Sequence, residues 1–189
     1  NGEKSAYFDW FCGVSMEVLR GKTSKELTAD VMRGEKPFES FAFAADMPKW
    51  NTENPAVQDY LIGTAAEWTR KYGVDAWRLD VPDEVSFRFL EHFKKRIRET
   101  NPEAYIIGEI WQKSTAWLRA GVFDGAMDYP LYFAIRDFAM KRTDGVETFA
   151  ERIKDVFLSA PDCVRPRQLA FCGNHDIPRP LTVCGGDTD

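Results

Sequence analysis

Histidine and cysteine are scarce in this sequence, with two and four among 189 residues. Two histidines cannot build a His-rich transition-metal centre, and one of them, His92, falls inside a helical pattern. Cys12, Cys163, Cys172 and Cys184 fit neither a Cys-x-x-Cys metal pair nor a dense disulfide framework, so reduced thiols and a cytoplasmic setting are expected. No apolar run approaches the roughly 18 residues that span a bilayer, so no membrane partner is expected. The opening Asn1-Gly2-Glu3-Lys4 has neither an initiator Met nor a signal-like apolar core, and the chain is expected to begin inside a longer gene product. Basic excess is missing as well: 25 Lys and Arg face 30 Asp and Glu, a formal net charge of −5, which gives no electrostatic reason to expect nucleic acid. The one basic cluster, Lys94, Lys95, Arg96 and Arg98, sits in an amphipathic helical pattern and reads as a solvated helix face.

What is present is an apolar core. The sequence is 44% hydrophobic and 14% aromatic, which suits one globular domain or part of a larger one. Residues 1–53 read as an irregular segment, with an aromatic opening (Tyr7, Phe8, Trp10, Phe11), a turn at Gly21 to Ser24, a short helical stretch to about Gly34, and Pro37. Regular signals begin at Asn54, a helix N-cap followed by Pro55, by apolar residues at Val57, Leu61, Ile62, Ala65 and Trp68, and by a closing Gly73. Strands are expected at 74–80, 104–109, 122–128 and 167–173. Helices are expected between them, including 87–97 and 115–119, one from Pro130 to about Met140, and one capped by Thr143 or Asp144 and running to about Ser159. This alternation predicts an α/β chain with a parallel sheet, doubly wound or a (β/α)8 barrel. After the first strand stands Asp80-Val81-Pro82-Asp83, not a phosphate-binding glycine fingerprint.

Each predicted strand ends in a carboxylate: Asp80, Glu109, Asp128 and Asp176. In parallel α/β proteins functional groups gather at the carboxyl ends of strands, so these four acids are expected to face a common pocket, although any one could merely cap a loop. Arg78 lies two residues before Asp80, hence on the same strand face, where its guanidinium favours the ionised carboxylate that a nucleophile requires. Glu109 is flanked by Tyr105-Ile106-Ile107 and Ile110-Trp111, an apolar setting that favours a neutral, proton-donating carboxyl. Two carboxyls with opposite tasks on neighbouring strands suit cleavage of a glycosidic bond, with retention if they stand about 5 to 5.5 Å apart. Trp50 and Trp111 fall in the rim loops, where they can stack on sugar rings, whereas Trp68 and Trp77 read as core. Carboxylate-bound Mg²⁺ is the competing reading of the acids.

Trp77-Arg78-Leu79-Asp80, Gly108-Glu109-Ile110-Trp111 and Gly173-Asn174-His175-Asp176 resemble, in order and separation, three strand-end motifs of the α-amylase family, glycoside hydrolase family thirteen. Met47-Pro48-Lys49-Trp50-Asn51 is similar to the MPKLN motif of the neopullulanase, cyclomaltodextrinase and maltogenic amylase branch. Asp80 to Val85 and Leu181 to Asp187 resemble that branch too, and the resemblance covers Phe41 to Asp189. It implies a partial TIM (β/α)8 barrel, about strands 4 to 7 with their helices (residues 54–189), preceded by the end of an irregular strand-3 excursion (residues 1–53).

The resemblance also implies roles. Asp80 would be the nucleophile, Glu109 the general acid/base and Asp176 the third carboxylate that stabilises the transition state. Arg78, His175 and Asn174 would hold the nucleophile and the substrate hydroxyls, and Glu84, Trp111 and Trp50 would border the substrate. The implied activity is that of a retaining glycoside hydrolase or transglycosylase on α-glucosidic bonds of cyclomaltodextrins, pullulan, starch or maltooligosaccharides. It implies no cofactor or metal ligand in this chain and leaves room for calcium in a full-length enzyme. Trp50 stands in place of the usual Leu, Pro82-Asp83 in place of Ala-Asn, and Asn174 where several members of the branch have Ser. The family's strand-three motif has no counterpart before Phe41. A piece of a closed barrel exposes sheet edges, so weak activity and self-association are expected of the isolated chain. The alternatives are a non-catalytic amylase-like module and a metal-dependent (β/α)8 enzyme.

Overall fold

The structure is a computed structural model that describes residues 4–19, 21–35, 37–41 and 44–186. Asp187, at the end of one resembling run, and the Asn1-Gly2-Glu3 opening lie outside the described residues. The N-terminal segment carries α1 (Met16–Leu19), α2 (Ser24–Met32) and an antiparallel pair, β1 (Ser40–Phe41) and β2 (Ala44–Pro48). α2 falls within the short helical stretch that the sequence shows up to about Gly34. Thr23 and Glu26 form a reciprocal capping box at the start of α2, and buried Asp30 pairs with Lys22 at 2.5 Å and with Arg33. The rings of Phe11 and Trp50 stack at 5.0 Å, and the Asn51 N–H donates to the Trp10 carbonyl at 2.8 Å.

α3 (Pro55–Tyr72) begins and ends where the sequence says it should. The Asn54 side chain accepts the Ala56 N–H at 2.9 Å, and Gly73 turns out of the helix at φ 62°, which favours glycine. β3 (Ala76–Leu79), α4 (Phe87–Thr100), β4 (Tyr105–Gly108), α5 (Thr115–Arg119), β5 (Gly125–Ala126) and α6 (Tyr129–Ile135) then alternate. A π-helical turn, Arg136–Met140, extends α6, and α7 (Val146–Ser159) and α8 (Pro180–Val183) follow. The strands form one parallel sheet in the order β3-β4-β5, with Arg78 opposite Ile107 and Gly108 opposite Ala126.

One sheet face packs against α3 and α4 through Ile62, Ala65, Leu90, Phe93, Ile97 and Ile106. Burying each of the larger side chains contributes about 1.5–3 kcal/mol. The other face carries a smaller cluster of Ile107, Met127, Tyr129 and Tyr132. No described helix is long and apolar enough to cross a membrane, and all four cysteines are free thiols.

Several expectations are corrected. The fourth strand shrinks to a bridge between Met127 and Leu169. Leu169 exchanges backbone hydrogen bonds with Ala126 and Asp128, but the Ala126 N–H donates to the Gln168 side chain at 2.7 Å and the Tyr105 hydroxyl donates to the Arg167 carbonyl. Side chains thus take the places of ladder bonds. Gly125 is obligatory here, because any Cβ would collide with the Arg167 carbonyl. α7 is preceded by Gly145 without a side-chain cap, since Asp144 is drawn to Arg152 at 3.2 Å and the Thr143 hydroxyl to the Asp137 carbonyl. Trp68 is not core: it is 51% exposed and stacks on half-buried Trp77. The basic cluster is split, for Lys94 and Arg98 turn inward to buried Asp124, each at 2.9 Å, while Lys95 and Arg96 stay exposed.

Candidate active site

β3 delivers two charged residues to one face. Because alternate strand residues point the same way, Arg78 and Asp80 stand together, with Nη1 to Oδ1 at 2.5 Å. β4 delivers Glu109 beside them: its N–H donates to the Leu79 carbonyl at 2.9 Å, carrying the ladder one residue past the strand. Gly108, just before Glu109, leaves room for the Phe123 ring, which a Cβ there would meet at 2.5 Å. The same Arg78 reaches Glu109 Oε1 at 2.8 Å and Asp176 Oδ2 at 3.8 Å through Nη2. Three carboxylates from separate parts of the chain therefore meet on one guanidinium.

Their environments differ. Glu109 is 3% exposed, whereas the Asp80 side chain is 69% exposed. Burial pushes the Glu109 carboxyl above its ordinary range, a hydrogen bond with the Asp80 carboxyl adds to this, and Arg78 and the Tyr129 hydroxyl oppose it. The net direction is upward, toward a carboxyl that keeps its proton. Glu109 Oε1 accepts the Tyr129 O–H at 3.1 Å and the Trp111 indole N–H at 3.4 Å, while Oε2 faces the Val81 N–H at 3.4 Å. Val81 takes a left-handed φ of 42°, an uncommon conformation for a β-branched residue and one that aims this N–H at the acid.

The remaining expected residues fall as follows. His175 is exposed and lies 3.2 Å from Asp176 through Nε2. The Asn174 carboxamide accepts the Asp176 N–H at 2.9 Å and donates to the Tyr129 hydroxyl at 2.8 Å. Trp111 stacks on Tyr129 with centroids 4.4 Å apart. Glu84 pairs with Lys49 at 2.8 Å, joining the N-terminal segment to the loop after β3. Trp50 stacks on Phe11 and lies beside Trp10, within the N-terminal aromatic group. Asp128 departs from expectation: it does not share the pocket but is buried and accepts the Leu131 N–H at 3.1 Å as the N-cap of α6. Burial raises its carboxyl pKa, and that one N–H only partly offsets the rise.

Sequence reasoning missed Tyr129. It is fully buried between the acid and Asn174, and burial pushes its hydroxyl up to about 12. Its one signal is position, as the first residue of a helix that starts directly after a strand-end acid. Among the described residues no group of three or more His, Cys, Asp or Glu is arranged to hold a metal ion. A buried carboxyl whose affinity for its proton is raised, beside an exposed one, both within reach of one guanidinium and a third carboxylate, can donate a proton, attack an electrophilic carbon and stabilise positive charge at that carbon.

A family model described as "Alpha amylase, catalytic domain" matches residues 34–189. A maltogenic alpha-amylase of Bacillus acidopullulyticus is 37% identical over 188 residues, 100% of this chain and 30% of the relative. Neopullulanase 2 of Thermoactinomyces vulgaris is 36% identical over 192 residues, covering 98% of this chain and 30% of the relative. A solved cyclomaltodextrinase superposes with a TM-score of 0.86 at 37% identity, over 99% of this chain and 30% of that one. The chain thus spans about 30% of the length of the curated relatives it matches.

Proposed function

The chain belongs to the α-amylase family, and from that premise we propose that it carries the catalytic carboxylates of a retaining glycosidase acting on α-glucosidic bonds. Its partial α/β fold corresponds to part of a TIM barrel catalytic domain. Within it we assign residues 54–189 to about strands 4 to 7 with their helices, and residues 1–53 to the end of the excursion after strand 3. Matched proteins are named for cyclomaltodextrin, pullulan and maltose-yielding activities, so those glucans are the proposed substrates of the whole protein.

In the proposed cycle Glu109 gives its proton to the leaving glycosidic oxygen while an Asp80 oxygen attacks the anomeric carbon. Positive charge on the ring is stabilised by Asp176, and Arg78 holds the three acids in register. The resulting Asp80 ester is then hydrolysed by water, or opened by a sugar hydroxyl, whose proton returns to Glu109. The single observation that supports this reading is the convergence of Asp80, Glu109 and Asp176 on Arg78 within 3.8 Å, with burial favouring a neutral Glu109. Free cysteines fit a reducing cytoplasmic setting.

The test is turnover of cyclomaltodextrin, pullulan and a linear maltooligosaccharide by the whole encoded protein. Asp80→Asn is expected to lower kcat by about 10³-fold or more, as is Glu109→Gln, with folding retained. Unchanged turnover in either variant would overturn the assignment.

A further inference from the structure

The Glu109 carboxyl does not meet solvent on its inner side; it meets the hydroxyl of Tyr129. The direction of that hydrogen bond follows from the atoms around it. Asn174 Oδ1 accepts the Asp176 N–H at 2.9 Å, which fixes the carboxamide so that Nδ2 faces the Tyr129 oxygen at 2.8 Å. An amide nitrogen only donates, so the Tyr129 oxygen accepts there and must send its own proton elsewhere. The polar atom waiting on the other side is Glu109 Oε1 at 3.1 Å. The ring cannot swing away, because Trp111 stacks on it at 4.4 Å and Phe171 meets it edge-on at 4.9 Å.

Resting on the assignment of Glu109 as proton donor, we propose that Tyr129 is a positioning residue whose O–H, oriented by Asn174, holds Glu109 and couples it to the loop that carries Asp176. The chain of bonds runs from the Asp176 backbone to Asn174, to Tyr129 and to Glu109. A displacement of the third carboxylate loop therefore changes how firmly the acid is held. In the cycle, a hydroxyl donated to Glu109 favours its carboxylate form, which eases release of the proton to the leaving group. It also counteracts burial and the Asp80 carboxyl, which would otherwise hold the proton too tightly.

The discriminating variant is Tyr129→Phe in the whole encoded protein, since it keeps the ring and its stacking while deleting only the hydroxyl. The alkaline limb of the kcat/KM profile is expected to move to higher pH by about half to one unit, with kcat reduced about tenfold. Asn174→Leu should move the limb the same way by less, and should move it no further when Tyr129→Phe is already present. A purely packing role predicts no movement of the limb in either variant. An unmoved limb, a shift to lower pH or fully additive effects would overturn the proposal. Should Tyr129→Phe not fold, the Asn174→Leu limb alone decides, an unmoved limb being refutation. Asp80→Asn separates this from failure of the function itself: if it abolishes turnover while the limb stays put, the relay is wrong and the glycosidase reading stands. If Asp80→Asn keeps turnover, the reading itself falls.

Discussion

In the proposed cycle Glu109 loses and regains a proton while lying 3% exposed against a guanidinium and an aspartate. Its raised folded-state pKa carries a stability cost with a definite sign. The neutral form is favoured on folding, so this contribution is fully present below the unfolded value of about 4.3 and is lost as pH rises through the higher folded value. Glu109→Gln, which cannot ionise, is expected to be more stable than the parent at pH 7, read as a higher thermal midpoint. The gain should vanish near pH 4, and a gain of equal size at both pH values would contradict the account. At this scale the sequence was informative where geometry is local. Arg78 and Asp80 share a face because strands alternate, and Glu109 ends the next strand. Tyr129 was opaque because its partner Asn174 lies 45 positions away, and no local pattern announces a side-chain bond of that reach.

Elements are fastened to one another by a buried acid as well as by apolar packing. Asp124, just before β5, accepts the Ile106 N–H of β4 at 2.9 Å and pairs with Lys94 and Arg98 of α4. Burial alone would raise its carboxyl, but Lys94, the Ile106 N–H and Arg98 together reverse this and the net shift is downward. The stability it confers is present above the unfolded value near pH 4 and is lost as pH falls through the folded one. Asp124→Ala is expected to cost about 2 kcal/mol at pH 7, because the Ile106 N–H and two partly exposed cations lose their common buried acceptor; a thermal midpoint within a degree of the parent would refute this. Helices α3 and α4 were readable from caps and apolar spacing, which are properties of the segment itself. The fourth strand was not, since whether residues 167–173 join a ladder depends on Gln168 and Tyr105 intercepting its bonds. Nor was the inward turn of Lys94 and Arg98 readable, for their i, i+4 spacing is equally that of a wet helix face.

Over the whole molecule the sheet is one-sided: among the described residues β3 pairs only with β4, leaving its other edge open. An open parallel edge invites another strand, and we expect this chain on its own to self-associate. Sedimentation at micromolar concentration should detect species larger than the 21.7 kDa chain. A single compact monomer that binds no hydrophobic dye would refute it. The bridge between Lys49 and Glu84 acts at the same scale, since it fastens the N-terminal segment to the rim beside Asp80 across 2.8 Å, with both side chains about one-quarter exposed. Mobile ions reach such a pair in part, with a Debye length of about 10 Å at 0.1 M and 3 Å at 1 M. A neutral sugar would then respond to sodium chloride: the whole encoded protein should show a KM for long glucans that rises severalfold between those concentrations, and Lys49→Met should erase that dependence. The ionic atmosphere would in this way tune the grip on a ligand that carries no charge of its own.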